Sequence, residues 1–331
     1  MAQITVSFNE ALAAAVAALK AQGASSEHAA ATGRALVTAE AEGNRGVGLK
    51  HVFTYGDALA AGRARGDAEP VVEETTASLT RVDAAEGLPH LAAERAWPRL
   101  IAAAAAQGLG LLALRNGYPC GALGYFARKL AEDHGLAALV AANAGPAVMA
   151  ASGGSQRVFC TNPLAFAVPS GAGTPALVID QSTSSASLAT LRAEAEAGRE
   201  LPEGWALDPA GHPTTDARAA LAGSLLPFGG ARGANIALMV EMLAAGLTGA
   251  QWSRDAPPYN KGTASPGAGL FILAIDPQAG FHLRLHDWLD AVQSDPGAHL
   301  PGLAKGEALH HARHRGFAVD AELWNRVKAL A

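Results

Sequence analysis

Residues 161–184 read TNPLAFAVPSGAGTPALVIDQSTS, two apolar runs joined by a turn rich in proline and glycine. Short apolar runs bounded by turn residues predict two buried strands, over Leu164 to Val168 and Ala176 to Ile179. The first strand is entered through an amide side chain and free backbone donors. The second ends in a carboxylate and several hydroxyls, which suit ribose hydroxyls or an amide, although Asp and Ser after a strand are also ordinary helix caps.

Strand-like and helical runs alternate through the rest of the central chain. Further apolar runs cover Leu109 to Leu114, Leu136 to Ala142 and Leu270 to Ile275. Helical patterns lie between them, over Ala92 to Gln107, Gly121 to Asp133 and Gly233 to Leu247. This alternation predicts an α/β domain. The polar segment Trp252 to Gly267 is too long for a tight turn, and we expect an exposed loop or flap there.

Both ends of the chain are predicted to be helical. Ser7 and Glu10 form a capping box before a helix over residues 7 to 22, and a second helix covers about residues 26 to 42. Three glycines between Gly43 and Gly48 then predict a turn that permits close approach and so lines a site.

After Pro296 the pattern is again helical, and we expect these helices to pack on the amino-terminal ones. Their apolar contacts are Leu309, Phe317, Leu323, Trp324 and Val327. The expected organisation is an amino-terminal helical segment, an α/β cofactor-binding domain and carboxy-terminal helices, at residues 1–74, 75–284 and 285–331.

Composition excludes several classes of protein. With 50% hydrophobic and 17% charged residues the chain is globular, and its formal net charge of −5, without a run of lysine and arginine, argues against nucleic acid as a partner. We find neither a membrane span nor a leader pattern, and we expect a cytoplasmic protein. The two cysteines, Cys120 and Cys160, are too few for a disulfide framework and lack zinc-site spacing.

Two further motifs carry polar groups and glycines. Residues 201–208 read LPEGWALD, and residues 226–233 read LPFGGARG ahead of the helical pattern. The glycines of the second motif let backbone amides at a helix start meet an anionic group.

The order and spacing of these motifs resemble the malate/L-lactate dehydrogenase-like oxidoreductases, which include sulfolactate, ureidoglycolate and piperideine-2-carboxylate reducing enzymes. The likeness covers nearly the whole chain, from the loop region with Tyr55 and Gly62 to Pro301-Gly302 and Trp324. It implies NAD or NADP as cofactor, a small-molecule substrate and a homodimer with its cleft near the subunit boundary. It also implies a non-Rossmann, mixed-sheet NAD(P)-binding domain, in agreement with the absence of a Gly-x-Gly-x-x-Gly motif after a first strand.

The chain departs from that family at the site loops. The family pattern Gly-x-x-Ser-His-Gly-x-x-Arg is matched by GNRGVGLKH at residues 43–51, so that the Ser-His pair is Gly46-Val47 and the arginine is His51. In RNGYPCG at residues 115–121, Pro119 replaces a second histidine. Changes of the same kind place Cys160 where glycine is usual, Ala189-Thr190 where Gly-Lys is usual, and Arg232 where lysine is usual.

Loss of the histidine favours one class of substrate. Val47 cannot carry a proton, and loss of a general acid/base costs about 10²–10⁴-fold in rate. A protonated imine brings its own proton, so its reduction suffers least. Other groups in the altered loops remain as substitute acids, although packing or solvation is the more ordinary role for each: Tyr118, His51 and Lys50.

The expected site therefore has three parts. The candidate catalytic residues are the three just named, and the candidate substrate contacts are Val47, Pro119 and Arg45, with Lys50 and Arg115 as further cations for a carboxylate. The expected cofactor contacts are Cys120, Gly121, Thr161, Asn162, Asp180, Thr183, Ser184, Arg232 and Gly233.

Other interpretations stay open. The two cysteines are a conceivable nucleophile or redox pair, but buried apolar thiols are favoured. His310 and His314, with Glu307, have the spacing of metal ligands, yet a solvated helix face is favoured and no metal is expected. The alternative functions are a cofactor- or ligand-binding protein without turnover, and a repurposed biosynthetic enzyme whose chemistry is not net redox.

Overall fold

The computed structural model describes residues 2–73, 76–173 and 175–331. The helices, in chain order, are α1 (Phe8–Ala21), α2 (Ser26–Ala41), α3 (His51–Ala60), α4 (Pro89–Gln107), α5 (Gly124–His134), α6 (Leu188–Ala197), α7 (Ala217–Ala222), α8 (Ala231–Glu241), α9 (Phe281–Gln293), α10 (Leu303–Arg315) and α11 (Ala321–Leu330). A π-helical turn, Met242–Gly246, continues α8.

The strands, in chain order, are β1 (Gln3–Val6), β2 (Val71–Glu73), β3 (Leu79–Asp83), β4 (Leu109–Gly117), β5 (Ala137–Ala142), β6 (Met149–Ala150), β7 (Arg157–Phe159), β8 (Leu164–Pro169), β9 (Pro175–Gln181), β10 (Ala206–Leu207), β11 (Pro213–Thr214), β12 (Ser224–Leu225), β13 (Ala268–Ile275) and β14 (Phe317–Asp320).

A seven-stranded sheet forms the centre of the fold, in the order β2-β3-β4-β13-β5-β8-β9. Strands β3 and β4 run parallel, whereas the other neighbouring pairs are antiparallel. The two strands predicted from residues 161–184 are β8 and β9, paired to each other at one edge. This mixed sheet confirms the predicted α/β class and differs from the all-parallel sheet of the Rossmann type.

Helices α4 and α5 pack on one face of this sheet and enclose the largest core cluster, which includes Leu100, Leu112 and Phe126. Small residues allow the layers to approach closely, because a Cβ at Gly110 of β4 would lie 2.5 Å from the carbonyl oxygen of Leu100. The alanine-rich sequence of α4 therefore suits a tightly packed helix-on-sheet interface.

The two chain ends form a second layer together. Strand β1 pairs with β14, and α1 packs against α2 and α11 around the buried side chains of Leu19 and Trp324. Elements β14 and α11 of the carboxy-terminal segment thus lie against elements of the amino-terminal segment. The prediction that Phe317 belongs to a helix was wrong, since it begins β14, and the sequence analysis did not predict β1 or α3.

A smaller sheet, in the order β11-β10-β12-β6-β7, gathers the short strands of the region 149–225. Helices α6 and α7 cover it around Leu191, Leu201 and Leu225. No pattern in the sequence predicted this sheet.

The two boundaries between the predicted segments do not coincide with breaks between the observed elements. The boundary between residues 74 and 75 lies outside the described residues, and β2 already belongs to the central sheet. The boundary at residue 285 falls inside α9. The helix predicted over Gly233 to Leu247 is α8 followed by the π-helical turn. Within the described ranges, no helix is both long and apolar enough to cross a membrane.

Candidate functional site

Two of the predicted site loops meet at Gly121. A Cβ at this glycine, whose φ is +73°, would lie 3.3 Å from the Tyr55 hydroxyl, 3.8 Å from His51 Nδ1 and 3.8 Å from Val47 Cβ. Three parts of the chain therefore meet around Gly121: the bend after α2, the start of α3 and the loop after β4. Only a residue without a side chain fits there without strain.

The bend that carries Val47 is hydrogen-bonded to α2. The Glu40 carboxylate accepts a hydrogen bond from the Leu49 backbone N–H at 2.9 Å, and a Cβ at Gly48 would lie within 2.2 Å of that carboxylate. Burial raises the pKa of Glu40, against the effect of this hydrogen bond and of Arg45. Val47 is held half-buried, while Arg45 and Lys50 are exposed.

His51 begins α3 with its ring edge-on to Tyr55, at a centroid distance of 5.6 Å. Its Nδ1 is buried and has no hydrogen-bond partner among the described residues. Burial, helped by Lys50, lowers the pKa of His51 to about 4. The ring is therefore neutral at pH 7 and cannot replace a cationic arginine as a carboxylate anchor.

Hydrogen bonds to two other parts of the chain hold Tyr118 and Pro119 in place. The Tyr118 hydroxyl donates to the Tyr259 carbonyl at 2.9 Å, and the Tyr55 hydroxyl donates to the Pro119 carbonyl at 3.1 Å. Burial raises the pKa of Tyr118 to about 12. A phenol that is buried, hydrogen-bonded and this weakly acidic is poorly placed to be the substitute proton donor.

His90, which no sequence pattern indicated, forms a hydrogen bond to the same loop. Burial lowers its pKa to about 4, so the ring is neutral. Its Nε2 donates to the Cys120 carbonyl at 3.0 Å, and its Nδ1 then accepts from the Thr32 hydroxyl at 3.3 Å. A lone histidine just before the helix predicted from Ala92 gave no signal for this role, which depends on contacts distant in sequence.

Both cysteines are free and buried. Burial raises the pKa of the Cys120 thiol to about 12 and that of Cys160 to about 11. Cys160 Sγ accepts from the Asn162 and Ala144 backbone N–H groups, each at 3.2 Å. Nucleophilic catalysis needs a thiolate, so burial and the raised pKa values favour the packing role, although the two N–H contacts to Cys160 act in the opposite direction.

The Thr161-Asn162 turn is built into the protein interior. Asn162 has a φ of +37°, and its amide nitrogen donates to the Ala237 carbonyl at 2.8 Å and to Glu241 Oε2 at 2.9 Å. The backbone N–H and hydroxyl of Thr183 both donate to the Thr161 carbonyl, at 2.9 and 3.0 Å. The Asn162 and Thr183 side chains thus fix the turn rather than project from it.

Asp180, at the end of β9, caps α5. Its Oδ2 accepts from the Gly124 backbone N–H at 3.0 Å, and a Cβ at Gly124 would lie 2.9 Å from that oxygen. Burial raises the pKa of this carboxyl, opposed by the Gly124 contact and by Lys305 and Arg128. A cavity of about 330 Å³ lies between β9, α5 and α10, and it is lined by Val178 and Arg128 but not by Asp180 itself.

A glycine turn precedes α8. Gly229 and Gly230 have φ values of +58° and +63°, and they line a cavity of about 580 Å³ with Ser185 and Trp205. Gly233 is required for packing, because a Cβ there would lie 1.7 Å from the Phe228 carbonyl oxygen. Arg232 is exposed, and this turn is joined to the other loops by the Phe228 N–H, which donates to the Thr183 carbonyl at 3.0 Å.

Two other predicted polar groups have partners within the protein. The Ser184 hydroxyl donates to the Ala186 carbonyl at 2.7 Å. Arg115 forms ion pairs with Glu73 at 2.7 Å and Asp83 at 3.0 Å, so its charge is already matched. Lys50 and Arg45 remain the exposed cations near the bend.

Comparison with known proteins agrees with this architecture. The model of the malate/L-lactate dehydrogenase family matches residues 6–328. The chain is 37% identical to a (2R)-3-sulfolactate dehydrogenase (NADP(+)) of Chromohalobacter salexigens, over 98% of both chains. It is 36% identical to a delta(1)-pyrroline-2-carboxylate reductase of Ancylobacter novellus, over 94% of this chain and 93% of that protein.

The solved structures show the same relationship. The crystal structure of delta1-piperideine-2-carboxylate reductase from Pseudomonas syringae superimposes with a TM-score of 0.93 at 32% identity, covering 99% of this chain and 100% of that one. Sulfolactate dehydrogenase from Methanocaldococcus jannaschii gives a TM-score of 0.85 at 27% identity, covering 99% and 96%. The chain therefore belongs to the malate/L-lactate dehydrogenase family of oxidoreductases.

Proposed function

We propose that this protein transfers hydride from NADH or NADPH to a small carboxylate-bearing compound with a C=N or C=O bond, and that an imine is its preferred substrate. Relatives named as pyrroline-2-carboxylate reductases and as an NADP(+)-dependent sulfolactate dehydrogenase support an activity of this class. The preference for an imine rests on Val47 in the cleft.

The residues present fit a dinucleotide. The turn Gly229-Gly230 faces a cavity and precedes α8, where free backbone N–H groups suit phosphate oxygens. Gly121 offers close approach for a flat ring, and Asp180 supplies a carboxylate at the end of the edge strand β9. When bound, the cofactor supplies the hydride at the nicotinamide ring. The protein orients the acceptor against it and excludes water.

The chemistry of the acceptor decides whether the protein must supply a proton. Hydride adds to the carbon of a C=N bond, and the electron pair of that bond moves to nitrogen. A protonated imine already carries its proton, so the product amine forms without an acid from the protein. A ketone needs a proton at oxygen, whereas Val47 has none to give, and neutral His51 and hydrogen-bonded Tyr118 are poor donors.

We assign the substrate carboxylate to Lys50 or Arg45. Both are exposed and close to Val47 in sequence. Among the described residues, neither forms an ion pair with an acidic side chain. Arg115 is a weaker candidate because Glu73 and Asp83 already neutralise it. A lysine is a flexible point charge, so this anchor holds a carboxylate less rigidly than a bidentate arginine.

The test is a titration of the purified protein with NADH and NADPH by fluorescence, followed by oxidation of the bound nucleotide with cyclic imine carboxylates and with 2-oxo acids. We expect binding, and turnover on imines well above turnover on 2-oxo acids. Equal rates on both classes would contradict the role given to Val47. Failure to bind either nucleotide would contradict the oxidoreductase proposal itself.

A second candidate is a family member that binds ligands without redox turnover. The absence of a proton donor at residue 47 favours it. Nucleotide binding without turnover on any substrate of the panel would support it, and substrate binding with unchanged nicotinamide absorbance would indicate a non-redox reaction.

A further inference from the structure

A buried polar network connects three segments of the chain around Glu241. The carboxylate of Glu241 is 3% exposed, and Asn162 and Ser253 are completely buried. Glu241 Oε2 accepts from the Asn162 amide at 2.9 Å and from the Ser253 hydroxyl at 2.7 Å, and Oε1 accepts from the Ser253 backbone N–H at 2.7 Å. Cys160 completes the network, because its Sγ donates to Asn162 Oδ1 at 3.0 Å.

The partners of Glu241 are neutral. No lysine or arginine of the described chain lies within ion-pair distance of its carboxylate, which three hydrogen-bond donors stabilise instead. A buried carboxylate is costly unless donors surround it, and an apolar side chain of similar size would fill the same core at lower cost. The network therefore points to a requirement for one defined arrangement of the groups it joins.

On one side, Glu241 sets the Thr161-Asn162 turn. Asn162 has left-handed backbone geometry, which costs free energy in a residue with a side chain. Its amide is oriented at both ends, with Oδ1 toward Cys160 and the nitrogen toward Glu241 and the Ala237 carbonyl. Through the Thr161 carbonyl, this turn also holds Thr183.

On the other side, Glu241 holds the beginning of the segment 252–267. Ser253 gives it two hydrogen bonds, and further along the segment the Tyr259 carbonyl accepts from Tyr118 and the Gly262 carbonyl accepts from Arg63 at 3.0 Å. Most residues between these contacts are exposed, including Arg254 and Lys261. The segment is thus fixed at a few points, of which Ser253 is the most deeply buried.

We propose that Glu241 is a positioning residue that couples the Thr161-Asn162 turn, which the sequence predicts to contact the nucleotide, to the seating of the segment 252–267. This inference rests on the proposed function for the nucleotide. Glu241 itself touches no ligand. It holds the Thr161-Asn162 turn and the segment 252–267 in one relative position, so that loosening either of them weakens the other.

The experiment compares Glu241→Gln, Glu241→Ala and Ser253→Ala with the parent protein. NADPH and NADH affinities are measured by fluorescence, and cleavage after Arg254 and Lys261 is followed by limited trypsin digestion with and without nucleotide. We expect about tenfold weaker nucleotide binding in Glu241→Ala, as for loss of one buried charged hydrogen bond, together with faster cleavage at both sites. Glu241→Gln keeps one acceptor and should fall between. Ser253→Ala should weaken nucleotide binding although it lies on the opposite side of Glu241.

Matched controls separate positioning from general stability. Thr248→Val alters a buried side chain just after the same helix, whose hydroxyl donates to the Ala244 carbonyl and contacts neither Asn162 nor Ser253. Ser265→Ala alters the far end of the segment. Both controls should keep the parent affinity and cleavage pattern at a temperature where every variant is folded by circular dichroism.

The outcomes distinguish the two proposals. Parent-like nucleotide affinity in both Glu241 variants, or equal losses in Thr248→Val, would overturn the coupling. If the parent protein binds no nucleotide, the proposed function fails. In that case faster cleavage of Glu241→Ala without ligand still supports the seating of the segment, and unchanged cleavage overturns it.

Discussion

Val47 is the residue on which the proposed chemistry depends, because it puts a hydrocarbon side chain 3.8 Å from the Cβ position of Gly121. We expect the double change Gly46→Ser and Val47→His to raise the rate of 2-oxo-acid reduction by about 10²–10⁴-fold, the usual contribution of a general acid. Imine reduction should change much less. Steady-state kinetics on both substrates test this, with Val47→Ala as a control for space alone. No gain on 2-oxo acids would indicate that the loop at residues 115–121 has also been rebuilt.

Buried neutral histidines make the fold sensitive to acid. The pKa values of His90 and His51 are lowered to about 4 in the folded protein, against an ordinary value of about 6.5 in the unfolded chain. The unfolded state therefore binds more protons between these values, and stability falls as the pH drops from about 6.5 to about 4. For completely buried His90 the loss reaches up to about 3 kcal/mol.

Urea unfolding of the parent protein and His90→Gln at pH 8, 6 and 5 tests this expectation. Glutamine can still donate to the Cys120 carbonyl but takes up no proton. We expect His90→Gln to be the less stable protein at pH 8 and to lose less stability on acidification. An equal slope with pH in the two proteins would show that His90 does not contribute.

At the scale of elements, Asp180 connects the edge strand β9 to the start of α5. Replacement of a capping side chain by alanine costs about 0.5–2 kcal/mol. We expect Asp180→Ala to lose stability in this range, whereas Asp180→Asn keeps an oxygen acceptor for the Gly124 N–H and remains close to the parent. Urea unfolding measures the stability, and both variants should bind nucleotide more weakly if the carboxylate contacts the ribose. Equal stability of the two variants would contradict the capping role.

The sequence alone was sufficient to predict elements whose pattern lies within a short stretch of the chain. Strands β8 and β9 are short apolar runs between turn residues, and Ser7 caps α1 as predicted, accepting from the Glu10 N–H at 3.1 Å. Helix α3 escaped prediction because Gly56 and two β-branched residues weaken its local propensity, and its stability comes from burial of Val52 and Tyr55. Pairing of β1 with β14, from opposite ends of the chain, has no local signal.

The candidate site was predictable to the same extent. Loops were recognised by their glycines, and Gly121, Val47 and His51 do lie together. The sequence did not reveal that the amide of Asn162 would turn inward to Glu241, nor that His90 would hold the Cys120 carbonyl. Both depend on side chains brought together from distant parts of the chain, where neither spacing nor composition carries information.

At the scale of the whole molecule, one face carries a continuous run of exposed apolar side chains. It follows α8 and the π-helical turn to the beginning of the segment 252–267. Its members and their exposed fractions are Leu238 (48%), Met239 (43%), Met242 (41%), Leu247 (63%) and Trp252 (39%). Large apolar side chains gathered on one face of a folded protein indicate a contact surface.

We predict that the protein forms a homodimer and that this face is its interface. A second copy is the expected occupant because the face runs directly into the segment 252–267, whose Tyr259 carbonyl accepts a hydrogen bond from Tyr118 of the site loop. We expect Leu238→Glu with Met242→Lys to halve the molar mass measured by light scattering, and to weaken nucleotide binding through the segment that the partner would cover. Leu283→Glu with Trp288→Lys, on the exposed apolar face of α9, is the matched control and should leave the mass unchanged. A parent protein that is monomeric at all concentrations would contradict the prediction, and dissociation by the α9 variant alone would move the interface to that helix.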